Sequence, residues 1–158
     1  MPGKVVLLAM GNDILGDDGV ALAAARLLRE EIGGKGNLEI RETSEAGLAL
    51  LEHLEGFDSA LILDSVMTGR ASPGSLLEFS AGDFRSISAP SPHYAGLPEV
   101  LETAQRLEVK FPSKIRILAM EVAGKQEVRE GMSGPVQAAL SGFVRRAKQM
   151  LREMGAVD

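Results

Sequence analysis

The sequence predicts a single α/β domain over residues 1–158, built as three layers: a central, twisted, mostly parallel sheet of about five strands with helices on both faces. Two apolar runs of strand length, Val5–Met10 and residues 60–63, have no polar alternation, which is typical of strands covered on both faces. Segments with helical spacing alternate with such strands, as in a doubly wound fold. A chain of 158 residues, 45% hydrophobic and 25% charged, has the usual size and composition of one globular domain.

Strand and helix patterns alternate through the first half of the chain. Apolar residues recur at helical spacing between Val20 and Ile32, and either Asp17 or Asp18 can cap the start of this helix. The glycine pair at 33–34 is suited to end it. The segments predicted next are a strand over Leu38–Thr43, a short helix whose buried face is Gly47, Leu50, Leu51 and Leu54, and a strand over residues 60–65.

The second half continues the alternation after a stiff loop. Residues 75–80 indicate a further strand, and the prolines at 90 and 92 then exclude a helix over 89–93, since each favours an extended predecessor. A strand is predicted over 114–122, and Pro135 suits the first turn of a last helix that Gly155 ends. The apolar stripes are Leu97, Val100, Leu101, Ala104 and Leu107 on the earlier helix, and Val136, Leu140, Phe143, Ala147, Met150, Leu151 and Met154 on the last one.

The composition excludes several classes of function. With no cysteine, the chain cannot use thiolate catalysis, disulfides, cysteine-ligated zinc or iron–sulfur clusters. Its 17 Lys and Arg against 22 Asp and Glu give a net charge of −5, and aromatic residues are few, so nucleic acid is not an expected partner. No apolar run approaches the roughly 18 residues of a membrane span, and no signal-peptide pattern occurs. We therefore expect a cytoplasmic protein without membrane insertion.

Two acids and one histidine follow predicted strands, at the edge where open parallel sheets bind ligands. Asp18 follows the first strand, Asp64 lies at the end of the 60–65 strand, and His93 comes after the 75–80 strand. If the first and third strands are neighbours, about 4.8 Å apart, Asp18 and Asp64 share one crevice. Two carboxylates so close require a proton or a cation, and an added imidazole makes a ligand set suited to nickel, zinc or iron. The residues therefore predict a cation site with open coordination positions.

Structural roles are the alternatives for these residues. An acidic pair before a helix is often only an N-cap, and Asp17 is the better capping residue of the two. A histidine in a loop, such as His93, is often a surface residue, although the neighbouring prolines favour a placed side chain. Asp64 is harder to explain in this way, because a carboxylate ending an apolar strand must be solvated or paired.

Other polar residues are assigned to the surroundings of the crevice. His53 is expected on the solvated side of its short helix, and Glu45 is expected to favour the dipole of that helix from the rim. The glycines at 11, 16 and 19 lack a GxxxxGK[ST] pattern and lie among acids that would repel phosphate, so they indicate tight turns.

The order and spacing of these motifs resemble the hydrogenase maturation proteases, the cytoplasmic endopeptidases that trim the carboxyl-terminal extension from the large subunit of nickel–iron hydrogenases. The resemblance is carried by Gly11-Asn12-(x)4-Asp17-Asp18-Gly19, by Asp64 and by Ser91-Pro92-His93, and it spans roughly residues 5–140. It implies an α/β fold and implies that Asp18, Asp64 and His93 engage nickel. Met10 and Ala21 depart from the family pattern, but neither is one of these three residues.

The resemblance further implies that the partner is a hydrogenase large-subunit precursor and that its inserted nickel is the recognition element. We also expect that other divalent cations can substitute for nickel in vitro. Nickel could polarise the scissile carbonyl or activate water, or one carboxylate could act as general base. No GxSxG or HExxH motif supplies another hydrolytic route. The alternatives are a non-catalytic metal-binding or adaptor module and a peptidyl-tRNA hydrolase-like enzyme, the latter disfavoured by the negative charge.

Overall fold

The computed structural model describes residues 3–12, 16–45, 49–80, 97–123 and 131–157, and all five of their strands form one sheet. A 3₁₀ turn, Gly16–Gly19, follows the first strand. In chain order, the strands and helices are β1 (Val5–Met10), α1 (Val20–Ile32), β2 (Leu38–Thr43), α2 (Ala49–Leu54), β3 (Ser59–Val66), β4 (Leu76–Ser80), α3 (Leu97–Arg106), β5 (Lys114–Glu121) and α4 (Gly134–Glu153).

The sheet has the order β2-β1-β3-β5-β4, in which the first four strands are parallel and β4 runs antiparallel to β5. This confirms the predicted α/β class with a mostly parallel sheet, and it confirms that the first and third strands are neighbours. Ala9 of β1 pairs with Leu63 of β3, and Asp64 pairs with Ala119 of β5. The carboxyl ends of β1 and β3 therefore lie side by side.

Helices cover both faces of the sheet because the central strands are apolar on both faces. Leu7 and Ala9 of β1 pack in the same cluster as α1 and α4, whereas Val6 and Leu8 pack in the cluster that contains α2. The predicted stripe of α4 needs one correction. Val144 is buried, whereas two of the predicted residues, Leu140 and Met154, are only partly buried against that core.

A group of charged side chains links the edge strand β4 to the neighbouring strand and to α4. Arg146 donates to Glu78 Oε1 at 2.7 Å, and Arg116 donates to Glu153 Oε2 at 2.9 Å. The hydrogen bond from Arg146 holds the pKa of Glu78 below its ordinary value of 4.5 and raises the pKa of Arg146. No helix among the residues that the structure covers is both long and apolar enough to span a bilayer.

Candidate functional site at the carboxyl end of the sheet

Two buried acids lie where β1 and β3 end. Asp18 belongs to the 3₁₀ turn that follows β1 and is 4% exposed, and Asp64 is the third residue from the end of β3 and is fully buried. Because β1 and β3 are parallel neighbours, both acids come to the same edge of the sheet. Asp18 and Asp64 therefore lie at the end of the sheet where the sequence predicted them.

The carboxylate of Asp18 is held through both of its oxygens. Its Oδ2 accepts a hydrogen bond from the Asn12 amide at 2.9 Å, and its Oδ1 accepts one from the Ser65 hydroxyl at 2.9 Å. Asp18 is therefore not the N-cap of α1, which is one of the two roles that the sequence allowed. The N-cap of that helix is Gly19, which has no side chain to donate or accept.

Glycine at position 11 allows the turn carrying Asp18 to approach β1. A Cβ atom at Gly11 would lie 2.1 Å from the backbone oxygen of Asp18, a contact that a side chain cannot make. The Gly11 amide also donates to Thr43 O of β2 at 3.0 Å, so the end of β1 is fixed from the other side. Here the glycine is needed for close packing and not for an unusual backbone angle.

Asp64 is connected to Asp18 through a single residue. The amide of Ser65 donates to Asp64 Oδ1 at 2.8 Å, and the hydroxyl of the same residue donates to Asp18. The third predicted residue, His93, lies outside the described residues. Among the described part of the chain, no group of three or more His, Cys, Asp or Glu side chains is placed to hold a metal ion.

Asp17 has a different role from the helix cap that its position suggested. The 3₁₀ turn separates it from the first residues of α1, and its carboxylate instead reaches the start of α4. It accepts hydrogen bonds from the Ser133 amide at 2.6 Å and the Ser133 hydroxyl at 2.8 Å. Ser133 is the N-cap residue of α4, so Asp17 supplies an acceptor and a negative charge at that helix terminus.

Sequence reasoning missed a third buried acid at this end of the sheet. Glu121, the last residue of β5, is 1% exposed and accepts from the amides of Thr68 at 2.9 Å and Gly69 at 3.3 Å. The Thr68 hydroxyl also donates to it. Glu121 thus fixes the loop that leaves β3. The signal was the one that identified Asp64, an acid that ends an apolar strand.

The rim residues Glu45 and His53 contact each other. Glu45 lies ahead of α2 and is 63% exposed, and its Oε1 is 3.5 Å from His53 Nε2. The imidazole is only 23% exposed, so it is less solvated than the helical pattern predicted. The Glu45 amide donates to the Thr43 hydroxyl at 3.0 Å, which shapes the turn after β2. Glu45 and His53 are therefore assigned to the rim of the site. Among the described residues they do not form a metal-binding group with Asp18 and Asp64.

The buried acids have the chemistry of a cation or proton site. Carboxylate oxygens are ligands for divalent cations, and an oxygen that accepts one protein hydrogen bond retains a second lone pair. A carboxylate oxygen is also a proton acceptor, as general base catalysis requires. Asp18 and Asp64 therefore fit recognition of a doubly charged ion as well as general base chemistry.

Comparison with known proteins gives consistent results. Residues 22–150 match the family model described as HycI, hydrogenase maturation protease. The chain is 24% identical over 154 residues to the hydrogenase 2 maturation protease of Escherichia coli K12, covering 96% of this chain and 93% of that protein.

Solved structures show the same fold. The hydrogenase maturating endopeptidase HybD from E. coli superposes with a TM-score of 0.81 at 22% identity, covering 98% of this chain and 95% of that one. The NiFe hydrogenase maturation protease HybD from Thermococcus kodakarensis gives a TM-score of 0.72 at 25% identity, over 93% and 98% of the two chains.

Proposed function

The chain belongs to the hydrogenase maturation protease family, and on that premise we propose that it removes the carboxyl-terminal extension of a nickel–iron hydrogenase large-subunit precursor after nickel insertion. Family membership supports an endopeptidase role in hydrogenase maturation. The observation that carries the finer proposal is the pair of buried carboxylates, Asp18 and Asp64, at the ligand-binding edge of the sheet.

Nickel belongs to the substrate in this proposal. Asp18 and Asp64 provide oxygen ligands for the ion that the precursor presents, and His93 is proposed as the nitrogen ligand. A mixed oxygen and nitrogen set is appropriate for nickel. A precursor without nickel would offer these residues nothing to bind, so cleavage would wait for metal insertion.

Hydrolysis also requires a proton acceptor. Water adds to the scissile carbonyl and gives up a proton, the carbon–nitrogen bond breaks, and the leaving amine receives a proton. Asp18 and Asp64 are the proposed acceptors. A residue that only recognises nickel changes KM in the main, whereas the acceptor changes kcat.

The test uses nickel-loaded and nickel-free precursor with intact-mass detection of the products. We expect cleavage of the loaded precursor only, and we expect Asp18→Asn and Asp64→Asn to reduce kcat/KM by about a hundredfold or more. Asp58→Asn is the matched control, because Asp58 precedes β3 at the opposite end of the sheet and its half-exposed carboxylate pairs with Lys110. It should cleave like the unmodified chain.

Two results would contradict the proposal. One is cleavage of the nickel-free precursor at the same rate as the loaded one, and the other is full activity of Asp64→Asn. Tight nickel binding by the chain alone, with no peptide bond broken, would favour the alternative of a metal-binding or adaptor module.

A further inference from the structure

We propose that Ser65 is a positioning residue that holds Asp18 in place at the end of the sheet where Asp64 also lies. The inference rests on the proposed function in so far as these two carboxylates are the working groups. Ser65 is 4% exposed, its hydroxyl donates to Asp18 Oδ1 at 2.9 Å, and its amide donates to Asp64 Oδ1 at 2.8 Å. One residue therefore contacts both carboxylates.

The geometry of β3 explains why a link of this kind is needed. Successive side chains of a strand point to opposite faces. Leu61 and Leu63 pack with α1, and Ile62 packs on the other face, so Ser65 shares the α1 face and Asp64 the opposite one. The strand thus presents Asp64 away from the turn that carries Asp18. The Ser65 hydroxyl reaches that turn and donates to Asp18.

The second contact of Asp18 makes the role of Ser65 specific. The Asn12 amide, at the end of β1, holds Oδ2, and the Ser65 hydroxyl, at the end of β3, holds Oδ1. Two donors from two different strands fix the plane of the carboxylate, whereas one donor leaves it free to rotate. A serine hydroxyl has a single proton, and here Asp18 receives it.

Removing the hydroxyl should loosen Asp18 without unfolding the chain. Alanine fits in the volume of serine, so packing is kept, but Oδ1 loses a charge-assisted hydrogen bond. Groups that orient a metal-binding side chain typically change metal affinity or activity by about 10- to 100-fold when they are removed. We expect an effect of that size in Ser65→Ala and its reversal in Ser65→Thr, which keeps the hydroxyl.

The test compares Ser65→Ala, Ser65→Thr and a control, Ser59→Ala, at the amino end of the same strand. The first measurement is hydrogen exchange of the Asn12 amide by NMR, which reports the position of Asp18 without nickel or precursor. It should accelerate by about tenfold in Ser65→Ala and not in the other two, as expected for a weakened hydrogen bond to a charged group. Urea unfolding of all three variants checks that the fold is kept.

Nickel affinity by calorimetry and the cleavage kinetics of the loaded precursor follow. Ser65→Ala should weaken nickel binding and lower kcat/KM by about 10- to 100-fold, and Ser65→Thr should restore both. An unchanged exchange rate of the Asn12 amide in Ser65→Ala would overturn the inference, whether or not the variant cleaves the precursor. If the amide responds as expected but the unmodified chain does not cleave the nickel-loaded precursor, the positioning role stands and the proposed function fails.

Discussion

Replacing Gly11 by alanine tests how closely the position of Asp18 depends on the packing at the end of β1. The added Cβ would lie 2.1 Å from the Asp18 backbone oxygen, and real Cβ contacts below 3.0 Å are essentially never found. The two groups must therefore separate by about 0.9 Å. The atom that must move is a backbone atom, and the Gly11 amide is tied to Thr43 O, so neither side can yield easily.

The displacement should be visible in both catalysis and stability. A misplacement of about 1 Å at a catalytic group can reduce the rate by about a hundredfold, so kcat on nickel-loaded precursor should fall by that order in Gly11→Ala. Overpacking of this kind costs about 1–3 kcal/mol of unfolding free energy. Urea denaturation measures the second quantity, and the Asn12 amide resonance should shift because its acceptor is the carboxylate of Asp18.

Gly142→Ala is the matched control for this substitution. Nothing lies within 4 Å of a Cβ at Gly142, which is inside α4, so the change should raise the unfolding free energy by about 0.5–1 kcal/mol through helix propensity. Its kcat should equal that of the unmodified chain. If Gly11→Ala also kept the original kcat and stability, the close approach of the turn to β1 would be irrelevant to the site and the reasoning would be refuted.

Three further substitutions test contacts outside the acidic pair. Asp17→Asn removes one acceptor and the charge that hold Ser133, so it should lower the unfolding free energy by about 1–2 kcal/mol. In a double-mutant cycle with Ser133→Ala, additive losses of unfolding free energy would contradict the contact. Glu121→Gln should lower the unfolding free energy by about 1–3 kcal/mol and accelerate amide exchange in the loop after β3. Unchanged amide exchange in that loop would refute the role of Glu121 in holding it. Because Arg146 lowers the pKa of Glu78, their pairing stabilises the fold at neutral pH and is lost as the pH falls through the lowered pKa. Urea titrations from about pH 6 to about pH 3 should show a smaller loss of stability in Arg146→Gln than in the unmodified chain, and equal losses would contradict this.

The sheet was predictable because its central strands are apolar on both faces, and such strands appear in the sequence as unbroken apolar runs. Val5–Met10 is buried throughout, and the neighbouring position of the first and third strands follows from the usual order of such sheets. The direction of β4 was not predicted. Residues 67–75 include no helix that could carry the chain back to the amino end of the sheet, so the strand that follows runs antiparallel.

The location of the acidic pair was predictable, but the hydrogen bonds around it were not. Capping rules use residues that are near in sequence, whereas the partner of Asp17 is 116 residues away in the chain. The role of Ser65 depends on which face of β3 it shares with the turn that carries Asp18. That relation exists only once the 3₁₀ turn has been packed against β3.

The contacts of the four acids at this end of the sheet separate them into two kinds. Asp17 accepts from the amide and the hydroxyl of Ser133, and Glu121 accepts from those of Thr68 and from the Gly69 amide, so each holds one segment in place. Asp18 instead accepts from the ends of two different strands, and it shares the second donor residue with Asp64. Substitutions of Asp17 and Glu121 should therefore act mainly on the unfolding free energy and have the smaller effect on kcat. For Asp18 and Asp64 we expect the reverse order, because in the proposed function these two carboxylates act on the substrate directly.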